Sequence, residues 1–208
     1  MSFFKSNNLT NVAIATLYAT FILFTILHFI IPWTHESGSL PDVKLMIKNN
    51  DPTFDFQQMP SPLKYLDSIY IIGHYTCHQR NERSFFLKNN QLPICSRCLG
   101  IYIGMSFIFI IAILRNPAGP FFQSLCKLMK GERNPDPVCC DVVIIVLLGV
   151  LLSAPMICDG VLQIFTTYVS NNIIRFVTGV LFGVFEGGCI IGILSHIVYI
   201  YKYQLNFA

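Results

Sequence analysis

Four long apolar stretches constrain this chain more than any other feature of its sequence. They run from about Val12 to Trp33, Ile94 to Leu114, Val138 to Cys158 and Ile173 to Tyr201. An α-helix needs about 20 mostly apolar residues to cross the hydrocarbon core of a bilayer. Only 12% of the 208 residues are charged, whereas a soluble domain usually carries about 25%. We therefore predict an all-α membrane protein, a bundle of four transmembrane helices whose solvent is the lipid bilayer.

The spacing of these stretches predicts how the chain is organised. Residues 1–33 form an N-terminal transmembrane anchor, because the first stretch is too long for a signal-peptide core. Residues 34–76 form an extramembrane loop, in which the amphipathic stretch Pro62–Cys77 indicates a short interfacial helix. Residues 77–201 form a membrane domain with the other three transmembrane helices. The long first extramembrane segment carries cysteine and histidine residues.

The positions of the basic residues predict the orientation in the membrane. With four spans, the N-terminus, the middle loop and the C-terminus share one side, and short cytoplasmic segments are rich in Lys and Arg. We predict a multi-pass protein of the cell membrane, with the N-terminus in the cytoplasm and the long loop outside. The basic residues on the predicted cytoplasmic side are Lys5, Arg115, Lys127, Lys130, Arg133 and Lys202.

Glycines at spacings of four residues bear on the possible partners of the chain. Gly100 and Gly104 lie in the second stretch, and Gly179, Gly183 and Gly187 in the fourth. Small residues let helix backbones approach closely in lipid. They favour either packing within the bundle or a homo-oligomer through the glycine-rich faces. The net charge of +3 comes without a basic stripe interleaved with aromatic residues, so no nucleic acid is expected as a partner.

A cluster of cysteine and histidine residues is the strongest chemical signal. Cys95 and Cys98, separated by two residues, open the second transmembrane helix, and Cys77 and His78 precede them in the loop. Two such pairs suit a four-coordinate zinc site. We predict Cys77, His78, Cys95 and Cys98 as metal ligands, with His74 as the alternative histidine. Zinc is the favoured metal, although soft thiolates also accept copper(I) or an iron–sulfur centre.

Two other interpretations of the same cysteines stay open. A Cys-x-x-Cys pair at the start of a helix is also typical of a redox-active dithiol, because the helix N-terminus favours the thiolate. Cys95 and Cys98 would then be the catalytic pair and Cys77 a shuttle cysteine. Alternatively, a structural disulfide from Cys77 to one of the other two would tie the loop to the bundle.

A second polar group lies where the third helix leaves the membrane and the fourth enters it. In a four-span bundle these ends share one face with the start of the second helix, so the group can approach the cysteines. We expect an ion pair between Asp159, placed just past the third helix, and Arg175. The functional alternative is binding of an anionic headgroup or support of a metal. The residues of this group, with Arg83 from the loop, are Arg83, Asp159, Gln163, Asn172 and Arg175.

Glu186 is an ionisable residue near the middle of the fourth helix. Such a residue within the membrane is a functional candidate by default. It favours either a proton or ion pathway, or a neutral carboxyl group that is hydrogen-bonded inside the bundle.

Two blocks of motifs carry a family resemblance. The chain resembles the proteins grouped as domain of unknown function family 2085, over about Cys77 to Gly192. The resemblance implies a small multi-pass membrane protein and adds no activity. His74 lies outside the family pattern, which favours His78 or a non-histidine fourth ligand. The matching residues are Cys77-His78-Gln79, Arg83-Ser84-Phe85, Pro93-x-Cys95-x-Arg97-Cys98-x-Gly100, Asp159-Gly160-x-x-Gln163 and Asn172-x-x-Arg175-x-x-Thr178-Gly179.

Taken together, the residues predict an integral membrane protein with a thiolate metal site, zinc favoured, at one membrane face. One alternative function is a quinone-linked membrane dithiol oxidoreductase. The other is a small transporter or ion-handling subunit that uses Glu186. The sequence leaves open whether the chain is an enzyme and which small molecule it binds.

Overall fold

Helices dominate the part of the chain that this computed structural model describes, residues 2–44, 63–131 and 139–205. A 3-10 turn (Asn81–Arg83) and a two-stranded antiparallel hairpin, β1 (Phe86–Leu87) and β2 (Asn90–Gln91), interrupt them. The helices are α1 (Ser2–Thr34), α2 (Leu63–Thr76), α3 (Ser96–Arg115), α4 (Phe121–Lys130), α5 (Cys139–Phe165) and α6 (Asn172–Leu205).

Four of these helices are long and apolar enough to cross a membrane. The spans are Ile14–Thr34 in α1, Ser96–Arg115 in α3, Asp141–Phe165 in α5 and Asn172–Tyr201 in α6. The predicted all-α membrane fold with four transmembrane helices is therefore confirmed. A helix, α2, is present where the sequence predicts one, and residues 45–62 of the predicted first loop lie outside the described residues.

The closest helix packing joins α3 to α6 through glycines on both sides. A Cβ atom at Gly100 or Gly104 would clash with a backbone carbonyl oxygen of α6. A Cβ atom at Gly179 or Gly183 would clash in the same way with a carbonyl oxygen of α3. The lack of side chains thus lets the two backbones touch. The glycines serve packing within the bundle, so these faces are not free to join copies of the chain.

The first helix packs on the opposite side of α3. The ring of Tyr18 stacks on that of Phe109 with centroids 4.5 Å apart. The Ser106 hydroxyl donates a hydrogen bond of 3.0 Å to the Thr25 hydroxyl, which satisfies two polar groups inside the membrane.

By contrast, only 6% of the α5 span is buried inside the protein, so most of its surface is left to lipid.

Two features differ from the sequence prediction. α5 continues to Phe165 instead of ending near Cys158, so Asp159 lies inside the helix and not just past it. Pro155 is accommodated within α5, because proline removes only one backbone hydrogen bond of a long apolar helix. The middle loop also contains α4, an amphipathic helix that buries Leu125 and Leu128 against the bundle and that the sequence analysis missed.

Substitution of the glycines tests the packing of α3 on α6. Gly183→Ala should lower the stability of the detergent-solubilised protein by about 1–3 kcal/mol, because the methyl group would meet the backbone of Ile101. Gly160→Ala is the matched control, since a Cβ at Gly160 meets no atom within 4 Å. Thermal unfolding of the two variants measures the difference. Equal stability of both variants would contradict the close backbone contact.

Candidate metal centre and the polar face beside it

The loop before α3 is held in place by three fully buried amide side chains. Gln79, Asn90 and Gln91 are each 0% exposed. The Gln79 amide donates to the carbonyl oxygens of Tyr70 (3.0 Å) and Pro93 (2.8 Å). The Gln91 amide donates to the Gln79 carbonyl oxygen (3.0 Å). The Asn90 side chain bonds three backbone groups at the end of α1 and just beyond it. These bonds fix the loop across the ends of α1, α2 and α3.

The hairpin turns sharply at Lys88 and Asn89. Both residues have positive φ angles, 54° and 60°, as a two-residue type I′ turn requires. The turn delivers the Lys88 ammonium group to the carbonyl oxygens of His35 (2.7 Å) and Trp33 (3.3 Å). A cation is thereby placed at the C-terminal end of α1, where it complements the helix dipole.

Three cysteines meet where this loop joins α3. Cys77 directly follows α2, Cys95 is the N-cap of α3 and Cys98 lies in its first turn. Their sulfur atoms all lie within 4.8 Å of one another, and all three are free thiols. The backbone N–H groups of Cys95 (3.2 Å) and Gln79 (3.5 Å) donate to the Cys77 sulfur. The structure therefore brings together the three cysteines that the sequence singled out, without a disulfide among them.

The proximity of the thiols sets their proton affinities. Hydrogen bonds from the thiols of Cys77 and Cys98 lower the pKa of Cys95 below that of an ordinary cysteine. The hydrogen bond that Cys77 makes to Cys95, together with burial, raises the pKa of Cys77. The proximity of the three groups thus favours loss of the proton from Cys95 before Cys77.

The two predicted histidine ligands lie outside the sulfur cluster. His78 is exposed, and the described group of potential metal ligands contains the three cysteines alone. His74 is half-buried in α2, and its ring packs edge-on against Tyr75 with centroids 5.5 Å apart. Cys77 and His78 both follow the end of α2, but Cys77 is half-buried with its sulfur against the start of α3, whereas the side chain of His78 is exposed. The fourth protein ligand expected from the sequence is absent from the described cluster.

The second polar group surrounds Asp159, whose side chain is only 4% exposed. Its ion-pair partner is Arg97, not Arg175 as the sequence analysis expected. The Asp159 carboxylate also accepts hydrogen bonds from the Gln163 amide (2.8 Å) and the Ser170 hydroxyl (3.3 Å). The expectation was wrong because Asp159 lies inside α5, where it faces the first turn of α3. Arg97, between the two cysteines of the Cys-x-x-Cys pair, was missed as a site residue, although its place in that motif was a signal.

The other predicted members of this group lie beside it. The Arg175 guanidinium, in a residue 4% exposed, donates a hydrogen bond of 3.3 Å to the side-chain amide oxygen of Gln163. Arg83 and Arg97 are close enough to act on Arg175 electrostatically. Asn172 opens α6 and donates to the Ser84 carbonyl oxygen (3.2 Å). The start of α3, the last turns of α5 and the start of α6 therefore meet at one end of the bundle.

Glu186 lies apart from both groups. It is half-buried in α6, and among the described residues no hydrogen bond or ion pair involves its carboxylate. Its role as a proton or ion pathway stays a prediction.

The fold and the cysteines define this chain as a helical integral membrane protein with a thiol cluster at one end of the bundle. The chain belongs to the family described as "Predicted membrane protein", domain of unknown function family 2085, which matches residues 77–190. That match covers α3 to most of α6 with the three cysteines and the polar face. The resemblance expected from the motifs is confirmed.

Two archaeal proteins are each similar to about half of this chain. An uncharacterised protein of Methanothermobacter thermautotrophicus is 34% identical over 110 residues, which cover 53% of this chain and 79% of that protein. An uncharacterised protein of Methanocaldococcus jannaschii is 30% identical over 115 residues, 55% of this chain and 61% of that protein. No solved structure matches the chain.

Removal of the buried carboxylate tests the polar face. Asp159→Asn should destabilise the protein by about 3 kcal/mol, because Arg97 would lose the partner of its charge in a site of low polarity. Glu82→Gln is the control, since the Glu82 side chain is 61% exposed and contacts arginines only at 3.6 and 4.0 Å. That change should cost less than about 0.5 kcal/mol. Chemical unfolding in detergent provides the measurement, and equal losses would contradict a specific Asp159–Arg97 pair.

Proposed function

We propose that Cys77, Cys95 and Cys98 bind one metal ion, with zinc favoured, at the membrane face of this protein. The observation that carries the proposal is the approach of three sulfur atoms to within 4.8 Å of one another. Zinc–sulfur bonds of about 2.3 Å in a tetrahedral site set the sulfurs about 3.8 Å apart. Small rotations of the three side chains supply that difference. Soft thiolates would hold copper(I) as well, so metal identity is part of the test.

Three protein ligands leave one coordination position for another molecule. Structural zinc sites are closed by four protein ligands, whereas sites that act on water or a substrate keep a position open. The exposed position of His78 supports the open type. The proposed role is therefore a metal centre that binds or activates a small ligand beside the membrane, and not only one that ties the loop to the bundle.

Substitution of one cysteine tests the metal centre. Purified wild-type protein should contain about one zinc per chain by elemental analysis, and Cys95→Ser should lose most of it, because two thiolates hold zinc far more weakly than three. Cys158→Ser is the matched control, since Cys158 is an exposed cysteine within α5 and far from the cluster in sequence. His78→Ala should retain zinc. Wild-type protein without stoichiometric metal after zinc loading would refute the proposal.

The zinc affinity of the wild-type protein should depend on pH. Metal must displace protons from the thiols it binds, and the pKa of Cys77 is raised by its hydrogen bond to Cys95. Zinc affinity should therefore increase as the pH rises from 6 to 8, with proton release on loading. Because the pKa of Cys95 is lowered, that residue should contribute less to the slope than Cys77. Competition with a zinc indicator at each pH measures the affinity.

A membrane dithiol oxidoreductase is the rival function. It is supported by the same approach of the three free thiols, since Cys95, as the most acidic, is suited to attack a disulfide. Alkylation before and after treatment with an oxidant separates the two functions. Reversible pairing of Cys95 with Cys77 or Cys98 in metal-free protein would favour the redox role. Thiols that stay reduced, together with bound zinc, would exclude it.

We also propose that the N-terminus, α4 and the C-terminus face the cytoplasm, which leaves the thiol cluster outside. The support is the placement of basic residues: Arg115, at the end of α3, bonds the carbonyl oxygens at the end of α4, beside Lys127 and Lys130. An epitope tag at either terminus should be reached by antibody only after cells are permeabilised. A tag inserted within residues 45–62 should be reached in intact cells. The reverse pattern would invert the topology.

A further inference from the structure

We propose that Arg83, Arg97 and Arg175 form a binding site for a phosphate-bearing anion, either a lipid headgroup or free phosphate. This site lies beside the thiol cluster and does not require it to hold a metal. Guanidinium groups bind phosphate through paired N–H donors, which makes arginine the residue best suited to such a ligand.

Arg175 is the first reason to expect an anion. The residue is 4% exposed, and its side chain donates a long hydrogen bond, 3.3 Å, to the Gln163 side-chain amide oxygen. Among the described residues no carboxylate lies within 4.0 Å of its guanidinium group. A buried charge that a neutral amide, and no carboxylate, contacts is costly at the edge of a membrane. An anion bound close by would offset that cost.

Asp159 is the one buried carboxylate among the described residues of this face, and its Oδ2 atom is already occupied. Asp159 pairs with Arg97 and accepts two further hydrogen bonds, from Gln163 and Ser170. It neutralises one of the three guanidinium groups, and the remaining charge of this face is positive. A zinc ion held by three thiolates would carry one net negative charge, too little to balance the other two arginines. The excess of positive charge therefore persists whether or not metal is bound.

Arg83 provides the accessible side of the site. Its side chain is 38% exposed, and its nearest carboxylate, Glu82, lies 4.0 Å away and is itself 61% exposed. The Ser96 hydroxyl bonds the Arg83 carbonyl oxygen (3.0 Å), which fixes this residue over the start of α3. The Arg97 side chain is 27% exposed, so a ligand could reach both residues from the aqueous side.

The N-terminal ends of two helices add to the positive electrostatic potential of this face. The N-termini of α3 and α6 lie side by side, because Ser96 at one and Asn172 at the other are joined by a hydrogen bond of 3.3 Å. The N-terminal end of a helix carries partial positive charge and favours anions. Two such ends together with three arginines make this face a match for phosphate at the level of the lipid headgroups.

Two probes distinguish the sources of the phosphate. The full chain is placed in nanodiscs of phosphatidylcholine, and equilibrium binding of radiolabelled inorganic phosphate is measured. In a second arm, native mass spectrometry measures the retention of phosphatidic acid against phosphatidylcholine. Saturable binding of inorganic phosphate assigns a free ligand, and selective retention of phosphatidic acid alone assigns a lipid headgroup. Either result supports the site, and binding of neither probe overturns it.

Variants locate the binding. Arg83→Gln should lower the affinity for the probe about tenfold or more, because a charge-assisted contact is lost. Arg83→Lys should lower that affinity less. Arg80→Gln is the control, since it removes the same charge from the same exposed loop, where Arg80 contacts Glu82 at 3.6 Å. Arg175→Gln should also weaken binding. Equal effects of Arg80→Gln and Arg83→Gln would overturn the proposal by reducing it to surface charge. Zinc content, measured in parallel, shows whether the metal centre fails independently.

Discussion

The direct contact between the backbones of α3 and α6 is the constraint on which the rest of this structure depends. In lipid, helices gain little from burying apolar side chains against each other, so close packing of small residues must hold them together. Gly100 and Gly104 meet Gly179 and Gly183 in this way. Because the contact starts at the first turns of both helices, it sets their N-termini side by side. The cysteines of α3 and the arginine of α6 thereby reach one face.

The buried amides of the loop before α3 hold that loop against the same face of the bundle. Gln79, Asn90 and Gln91 add a polar network beside the apolar cluster of Leu92, Ile94 and Leu99, and each is fully buried with its amide N–H groups hydrogen-bonded. Buried polar networks of this kind specify one arrangement, because any alternative leaves polar groups unpaired at low dielectric. The network runs through the residues around Cys77, so the position of that sulfur over α3 follows from amide chemistry and not from a disulfide.

The sequence predicted features that lie within a single helix or motif. It did not predict contacts that depend on how two helices are oriented relative to each other. The spans follow from apolar length alone, and the Cys-x-x-Cys pair from local spacing. The partner of Asp159 could not be predicted, because it depends on how far α5 extends and which way it faces α3. Likewise, His78 looked equivalent to Cys77 in sequence, yet the turn after α2 sends one side chain outward and the other inward. The packing of α4 was also not predicted, because this short amphipathic helix lies within a polar loop.

Arg97 belongs both to the helical turn that carries the cysteines and to the group of arginines beside them. It stands between Cys95 and Cys98 on the first turn of α3, and its guanidinium reaches across to Asp159 of α5. An ion held by the flanking cysteines would fix the turn that carries Arg97, and with it the position of one guanidinium in the polar face. Conversely, an anion drawn toward Arg97 would act on the same turn from the other side. The thiol cluster and the arginines are therefore neighbours that share the first turn of α3.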